Sequence, residues 1–291
     1  MSPPWMVDVH THLFPEWVRR DRRTFVERDA VFRVIYGSEK ARMVTEEEMV
    51  ASMDEQDVEI SVVFGFPWTD QGINRDHNDA ILDAAKRFQG RLIPFGCLNP
   101  LAPDAAREAE RCLRGGAKGI GEIAFYNRVI DEEVIGHLRP VMEVLKAFNL
   151  PLLIHTNEPV GHPYPGKSMK NLAEIELLIR NFPDQPIILA HWGGGILFFE
   201  LMKEVQALFR HVYYDTAASP YLYRPEIFRV AGEIVGFDRI LMGTDFPLIR
   251  PQRYYRQVME AVDEELARGI CRENALRLFE KLHIMQREGN T

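Results

Sequence analysis

Short apolar runs alternate with amphipathic stretches along most of the chain. Eight of these runs are rich in Val, Ile and Leu and are continuous, which is typical of parallel strands buried on both faces. The predicted strands are 6–12, 60–66, 92–99, 117–123, 150–156, 186–192, 212–217 and 239–245.

The stretches between these strands have apolar positions three to four residues apart, which predicts helices with one buried face. The predicted helices are 76–87, 105–114, 133–148, 169–181, 197–208, 225–235 and 253–267. Because strand then helix recurs around eight strands, the sequence predicts a single-domain TIM (β/α)8 barrel over residues 1–291. An open, doubly wound sheet is the alternative that the same pattern allows.

The first connection, 13–44, is much longer than an ordinary βα loop and carries several aromatic residues. Loops of this length in a compact domain are commonly lids or binding loops. We therefore expect an insertion with short helices that covers the barrel mouth or contacts a partner subunit. The polar stretch 280–291 is predicted to be a loose tail.

His10 and His12 lie two residues apart at the end of the first predicted strand. Side chains at this spacing share one face of a strand, so the two imidazoles can reach one ion. Imidazole is a common ligand of zinc and similar divalent ions. A pair of hydrogen-bonded core histidines would produce the same pattern.

Four more residues that can bind a metal fall at the ends of other predicted strands. They are Glu122, His155, His191 and Asp245. Barrel enzymes place their sites at the carboxyl ends of the strands, and a buried carboxylate needs a cation or a hydrogen-bond network. The pattern predicts that all six side chains surround a shared metal.

These strand ends carry DVHTH at 8–12, IH at 154–155, LAHWGG at 189–194 and GTDFP at 243–247, and NALRLF follows at 274–279. With these motifs the chain resembles the amidohydrolase superfamily, in the amidohydrolase-related branch that includes aminocarboxymuconate-semialdehyde decarboxylase. The resemblance covers nearly the whole chain and implies a metal-dependent enzyme.

The resemblance also implies roles for the six residues. His10, His12, His155 and Asp245 match metal-ligand positions, and His191 matches either a ligand of a second ion or the histidine that activates water. Glu122 resembles the glutamate that bridges two ions in TatD-type hydrolases. We expect one or two divalent ions, with zinc favoured and manganese compatible with the same donors.

A bound ion would lower the pKa of its water toward neutrality, and Asp245 is the candidate base that carries the proton to the leaving group. The leading hypothesis is a metal-dependent hydrolase that cleaves a small amide, lactone or ester. The alternative is non-oxidative decarboxylation of an aromatic or unsaturated acid, with His191 and Asp245 managing proton transfer. A barrel that keeps the ligands for structure or binding alone is the non-enzyme hypothesis.

Candidate contacts to a small-molecule substrate come from the loops after the strands. They are Lys167, Tyr126, Arg128, Tyr164, Tyr221 and Arg224. Lys167, Arg128 and Arg224 are the candidates for pairing with a substrate carboxylate. The glycines 193–195 predict either backbone N–H groups that receive an anion or close packing against the barrel.

The amino-acid composition limits the kinds of partner that the protein can bind. Lys plus Arg number 35 against 43 Asp plus Glu, a net charge of −8 without a basic stripe, which argues against nucleic acid. Three cysteines without CxxC spacing and the lack of a long apolar run predict a cytoplasmic protein outside the membrane. A homo-oligomer is predicted from the family resemblance alone.

Overall fold

Eight parallel strands follow one another in sequence order in a computed structural model that describes residues 6–168 and 171–285. The strands are β1 (Met6–His12), β2 (Val58–Phe64), β3 (Leu92–Pro94), β4 (Ile120–Ile123), β5 (Leu152–Ile154), β6 (Ile187–Leu189), β7 (Val212–Asp215) and β8 (Ile240–Leu241). Every strand position of β1 and of β3 to β6 is buried, as expected for strands covered on both sides.

The strands form a three-stranded sheet, β1 to β3, and a five-stranded sheet, β4 to β8. Parallel bridges join the two sheets at both edges, between Thr11 and Phe246 and between Gly96 and Ile120. Backbone hydrogen bonds support the first edge, where the Val9 N–H donates to the Met242 carbonyl over 2.9 Å. The sheets therefore close into a ring, and the predicted (β/α)8 barrel is confirmed.

Helices surround this ring. They are α1 (Glu16–Arg20), α2 (Arg22–Arg28), α3 (Ala30–Tyr36), α4 (Glu46–Glu55), α5 (Gln71–Arg87), α6 (Ala105–Arg114), α7 (Glu132–Phe148), α8 (Leu172–Asn181), α9 (Lys203–Leu208), α10 (Ser219–Leu222), α11 (Ile227–Val235), α12 (Pro251–Ala261), α13 (Glu264–Arg268) and α14 (Asn274–Lys281). Capping boxes begin α4 at Thr45 and α8 at Asn171. None of the helices within the described residues is long and apolar enough to cross a membrane.

The predicted elements differ from the observed ones mainly at their ends. Several strands are shorter than predicted because their last residues leave the ladder and turn into the barrel mouth. The predicted helix 253–267 is two helices, α12 and α13, separated near Val262. The predicted helix 197–208 is a short 3-10 stretch that ends at Leu201, after a non-helical turn at 192–195, and is followed by α9.

The first connection folds into α1, α2 and α3, with an aromatic cluster beneath them. The buried members are Phe14, Val18, Phe25, Phe32, Tyr36, Met43, Phe66, Trp68 and Ile73, which we call the lid cluster. Phe32 and Trp68 are its best-packed pair, with ring centroids 4.5 Å apart. The Asp29 side chain caps α3 and also accepts a hydrogen bond from the Thr69 N–H over 2.8 Å. The connection is thus anchored on the segment that follows β2.

The predicted tail, 280–291, divides into two parts. Leu282 and Ile284 are buried, at 3% and 6% exposure. The remainder, 286–291, lies outside the described residues.

Candidate metal centre

The strand ends bring all six predicted ligand residues together at one end of the barrel. His10 and His12 end β1, Glu122 lies in β4, and His155, His191 and Asp245 follow β5, β6 and β8. Three overlapping groups of three residues can each hold an ion, because within each group the ligand atoms lie within 4.8 Å of one another. These groups are His10, His12 and Glu122; His10, His191 and Asp245; and Glu122, His155 and His191.

Glu122 lies at the centre of this cluster. Its Oε1 is 3.0 Å from His155 Nδ1, 3.5 Å from His191 Nε2 and 3.8 Å from His10 Nε2. Its Oε2 is 3.7 Å from His12 Nε2, and Asp245 Oδ1 is 3.3 Å from the same nitrogen. These separations leave room for an ion between the donors.

Three histidines are held with the same nitrogen facing the centre. The Nδ1 atoms of His10, His12 and His191 lie 2.8 Å from Asp215 Oδ2, 3.0 Å from the Gly65 carbonyl and 3.1 Å from the Ala217 carbonyl. Since each partner is an acceptor, Nδ1 donates, and Nε2 faces the centre, where it can bind a metal or carry a second proton. His155 differs, because its Nδ1 faces Glu122.

Asp215 was not among the predicted ligand residues. It is fully buried at the end of β7, where its carboxylate binds His10 Nδ1 and accepts the His191 backbone N–H over 2.9 Å. One carboxylate therefore orients two candidate ligands. The available signal was its place at a strand end, the same signal that identified Asp245.

Asp8 is the other buried carboxylate behind the site. Its Oδ1 accepts the Thr244 N–H over 3.0 Å, and its Oδ2 accepts the Thr244 hydroxyl over 2.5 Å. Thr244 precedes Asp245, whose φ of 61° lies in the left-handed region that few residues adopt without support. The bond to Asp8 thus holds the turn that presents Asp245.

The cluster carries an excess of negative charge. Burial lowers the pKa of His10, but the charges of Asp215 and Glu122 outweigh burial and raise it to about 10. Burial raises the pKa of Glu122, yet His10 and His155 hold it well below its ordinary value. The pKa of Asp245 is lowered likewise, by its hydrogen bond to His12 against the effect of burial. Ionised carboxylates around imidazole nitrogens favour a cation at this point.

The donors fit a divalent metal. His10 Nε2 is buried and has no hydrogen-bond partner among the described residues, an arrangement that is costly unless the nitrogen has a ligand. Imidazole nitrogen and carboxylate oxygen together suit zinc and manganese. The predicted divalent-metal cofactor is confirmed at this level, whereas zinc as its identity and the number of ions stay predictions.

The predicted cationic substrate contacts do not reach the cluster. Lys167 Nζ donates to the carbonyls of Val160 and His162 and lies 3.4 Å from Glu158 Oε1, so it closes its own loop. Arg128 pairs with Glu133 over 2.7 Å at the surface. The Arg224 side chain is 86% exposed.

The predicted tyrosines also occupy different places. Tyr126 lies beside the cluster, with its ring centroid 5.0 Å from that of His155. Tyr164 donates to Glu158 over 3.1 Å within the loop after β5. Tyr221 is 55% exposed, and the Arg253 guanidinium lies over its ring at 5.4 Å from the centroid.

Tyr36 is a residue that the sequence prediction missed. It ends α3, is buried, and contacts Phe14 at 4.8 Å between ring centroids. Burial raises its pKa well above the ordinary value, and the charges of Asp245 and Glu122 add to this effect. No hydrogen bond to the Tyr36 or Tyr126 hydroxyl comes from the part of the chain that the structure describes.

The glycines after His191 serve close packing. Residues 191–195 all have positive φ, and a Cβ on Gly194 would lie 2.4 Å from the Asn157 carbonyl oxygen. A Cβ on Gly193 would lie 2.8 Å from the Tyr214 ring. Left-handed backbone at 193–195 together with this lack of space favours glycine there, and the run turns the chain tightly after His191.

The profile of the amidohydrolase family matches residues 7–281. The chain belongs to this family. No curated protein sequence gives a significant match.

Solved structures of this fold match along almost the whole amidohydrolase chain. A 5-carboxyvanillate decarboxylase from Sphingomonas paucimobilis is 19% identical with a TM-score of 0.73, covering 96% of this chain and 99% of that one. A 2,6-dihydroxybenzoate decarboxylase from Rhizobium is 19% identical with a TM-score of 0.69 and the same coverage. A dihydroxybenzoic acid decarboxylase from Polaromonas with bound manganese and 2-nitroresorcinol is 18% identical with a TM-score of 0.71, covering 96% and 97%.

These comparisons contradict the hydrolase prediction. The solved structures just described are decarboxylases and not hydrolases. The physical reason for the error is that the ligand motif fixes an ion at the strand ends and does not determine whether the ion faces a water or a substrate acid. The predicted bridging role of the amidohydrolase's Glu122 is not confirmed.

Proposed function

We propose that this amidohydrolase-family chain is a metal-dependent, non-oxidative decarboxylase of a small aromatic or unsaturated carboxylic acid. The observation that supports it most is that several solved structures with this fold are decarboxylases of hydroxylated benzoic acids. The buried His and carboxylate cluster, with the Tyr126 ring beside it, suits an aromatic acid bound next to an ion.

The proposed metal ligands are the predicted ones. We assign His10, His12, His155 and Asp245 to the ion, with Glu122 among the donors. A divalent ion at this point would bind and polarise the acid. Manganese, which is bound in the Polaromonas structure, is the first metal to test, with zinc next.

Decarboxylation breaks the bond between the carboxyl group and a carbon atom, which keeps the electron pair and then takes up a proton as CO2 leaves. His191 is the proposed proton donor. Burial lowers its pKa, but the hydrogen bond to Glu122 and the charge of Asp245 outweigh burial and raise it above its ordinary value, which favours the protonated form that a proton donor needs. The Asp245 side chain is 19% exposed, against 3% for Glu122 and 0% for Asp215, so among these carboxylates it is the most accessible to exchange that proton.

Neutral donors are proposed to complete the binding of the acid. Tyr126 and Tyr36 keep their protons, because burial raises both pKa values and Glu122 adds to the effect. Their hydroxyl groups can donate to oxygen substituents of the acid. Lys167, Arg128, Arg224, Tyr164 and Tyr221 are not part of this proposal, since they lie in loops or at the surface.

The test is CO2 release by the manganese-loaded protein from a panel that includes 2,6-dihydroxybenzoate and 5-carboxyvanillate. In D2O the product should carry one deuterium at the vacated carbon. Asp245→Asn should lower the rate roughly 10³-fold, whereas Asp184→Asn, at a side chain 70% exposed, should leave it unchanged. A metal-loaded protein that releases CO2 from no hydroxylated aromatic or unsaturated acid would contradict the proposal.

Two further properties stay proposals. A homo-oligomer is supported by exposed apolar side chains after β6, with Leu201 74% and Met202 53% exposed. Placement in the cytoplasm rests on the sequence argument alone.

A further inference from the structure

His77 lies outside the ligand cluster but uses both of its ring nitrogens. It lies on α5 and is 1% exposed. Its Nε2 lies 2.8 Å from the Leu13 carbonyl oxygen, and its Nδ1 lies 3.0 Å from Trp68 Nε1. Because a carbonyl only accepts and an indole N–H only donates, Nε2 carries the proton and Nδ1 accepts.

This imidazole stays neutral. Burial lowers the pKa of His77 to about 4, although the Leu13 carbonyl acts in the opposite direction. The proton on Nε2 is therefore fixed by its two partners across the neutral pH range. A neutral ring locked in one tautomer is a rigid structural element.

The His77 ring contacts two backbone segments that adjoin His12. Leu13, whose carbonyl His77 binds, directly follows His12. Gly65, whose carbonyl lies 3.0 Å from His12 Nδ1, is in contact with the His77 ring, because a Cβ on Gly65 would lie 2.7 Å from His77 Nδ1.

We propose that His77 is a positioning residue for His12, holding the Leu13 carbonyl and the Gly65 backbone so that His12 Nε2 faces the metal. This proposal depends on His12 binding an ion and not on which reaction follows. Groups that orient metal ligands through hydrogen bonds change metal affinity when they are removed, even though they never touch the ion.

The same ring also connects the metal centre to the lid cluster. Its donor, Trp68, packs on Phe32 of α3 at 4.5 Å and on Phe25 of α2 at 5.4 Å between ring centroids. The His77 ring itself lies 5.4 Å from Phe14. Packing of the first connection and orientation of His12 thus share one side chain.

The test measures metal affinity directly, by Mn²⁺ and Co²⁺ titration of the metal-free protein, so activity is not needed. His77→Leu should weaken binding about 10- to 100-fold and shift the Co²⁺ absorption bands. His77→Gln, which can donate and accept at similar positions, should stay within about 3-fold of wild type, and Trp68→Phe should lie between the two. His137→Leu, at an exposed histidine on α7, is the matched control and should bind normally.

A double-mutant cycle separates positioning from general destabilisation. Gly65→Ala should weaken metal binding in the wild-type protein, where the new methyl group meets the His77 ring. In a His77→Ala background the same change should have much less effect, because the obstructing ring is absent. This cycle and Trp68→Phe decide the question if His77→Leu fails to fold.

The proposal is overturned if folded His77→Leu binds Mn²⁺ and Co²⁺ with wild-type affinity and spectrum. It is equally overturned if His77→Gln loses as much affinity as His77→Leu, or if the Gly65 and His77 effects on affinity simply add. Normal metal binding by every variant contradicts this inference, whatever the reaction. Absence of CO2 release from a protein that binds metal normally contradicts the proposed function and leaves this inference to the metal titrations.

Discussion

The barrel interior and the mouth around it have opposite compositions. The interior end holds buried histidines and carboxylates, with His10 at 0% and Glu122 at 2% exposure. The segments that follow the strands expose large apolar side chains instead. These are Val34, Val129, Val160, Phe198, Phe199, Leu201, Met202, Tyr221 and Leu248.

This difference in composition between the interior and the mouth corresponds to two different roles. Charged groups can remain buried at the strand ends because each has a fixed partner, as His10 has in Asp215 over 2.8 Å. The mouth has few such constraints, so its side chains are free to contact a ligand or another protein. The interior therefore determines the chemistry, and the loops determine what reaches it.

The largest loss of metal binding is expected when the central carboxylate of the barrel interior is neutralised. Glu122→Gln removes a charge that lies within 4 Å of four imidazoles. We expect metal content after dialysis, measured by elemental analysis, to fall at least 10-fold, with a larger loss of CO2 release. Glu133→Gln, at a side chain 66% exposed, is the control. Retention of metal by Glu122→Gln would mean that the carboxylate is not a ligand.

Removal of the metal tests the interior as a whole. A chelator should abolish activity and lower the thermal midpoint, since an ion at 100 times its Kd stabilises the folded state by about 2.7 kcal/mol. Mn²⁺ should restore both, and calorimetry with and without the ion measures the difference. An unchanged midpoint would show that the cluster does not bind the ion tightly.

The pH dependence of the free energy of unfolding tests His77, which lies between the metal centre and the lid cluster. Its pKa falls from 6.5 to about 4 on folding, so the unfolded chain takes up the proton first and stability is lost as pH falls from about 6.5 to 4. At pH 5 this amounts to about 2 kcal/mol. Urea unfolding at pH 7.5 and pH 5 should show a smaller loss for His77→Gln than for wild type. Equal losses would contradict the lowered pKa.

The smallest effects are expected at the mouth. Arg224→Ala, at a side chain 86% exposed, should change kcat/KM for the best acid by less than about 2-fold. Lys167→Met should change kcat/KM slightly more than Arg224→Ala does, because Lys167 holds its loop by hydrogen bonds to the carbonyls of Val160 and His162. A 10-fold rise in KM for either variant would restore that residue as a carboxylate clamp.

Strand ends were predictable from sequence, and loop paths were not. An apolar run that ends in His or Asp places that side chain at the mouth, because the strand fixes its direction. Lys167 has a flexible side chain on an irregular loop, and its partners are carbonyls of that loop, which sequence spacing does not reveal. Tyr36 was missed because the packing of α3 on the lid cluster is a tertiary effect.

The reaction was unpredictable for a different reason. The same donors bind an ion that activates water or an ion that binds an acid, so the six ligands carry little information about the substrate. Asp215 could have been identified, since it ends β7 as Asp245 follows β8. His77 could not, because its importance comes from contacts with Leu13 and Trp68 that are distant in sequence.

The edge where the last strand meets the first has a consequence for biosynthesis. Asp245 donates its backbone N–H to the His10 carbonyl over 2.9 Å, so residues from the two ends of the chain form one corner of the metal centre. A growing polypeptide exposes His10 and His12 long before Asp245 leaves the ribosome. The complete set of donors can therefore form only once β8 has joined β1, and we expect a nascent chain stalled before β8 to bind the ion more weakly than the finished protein.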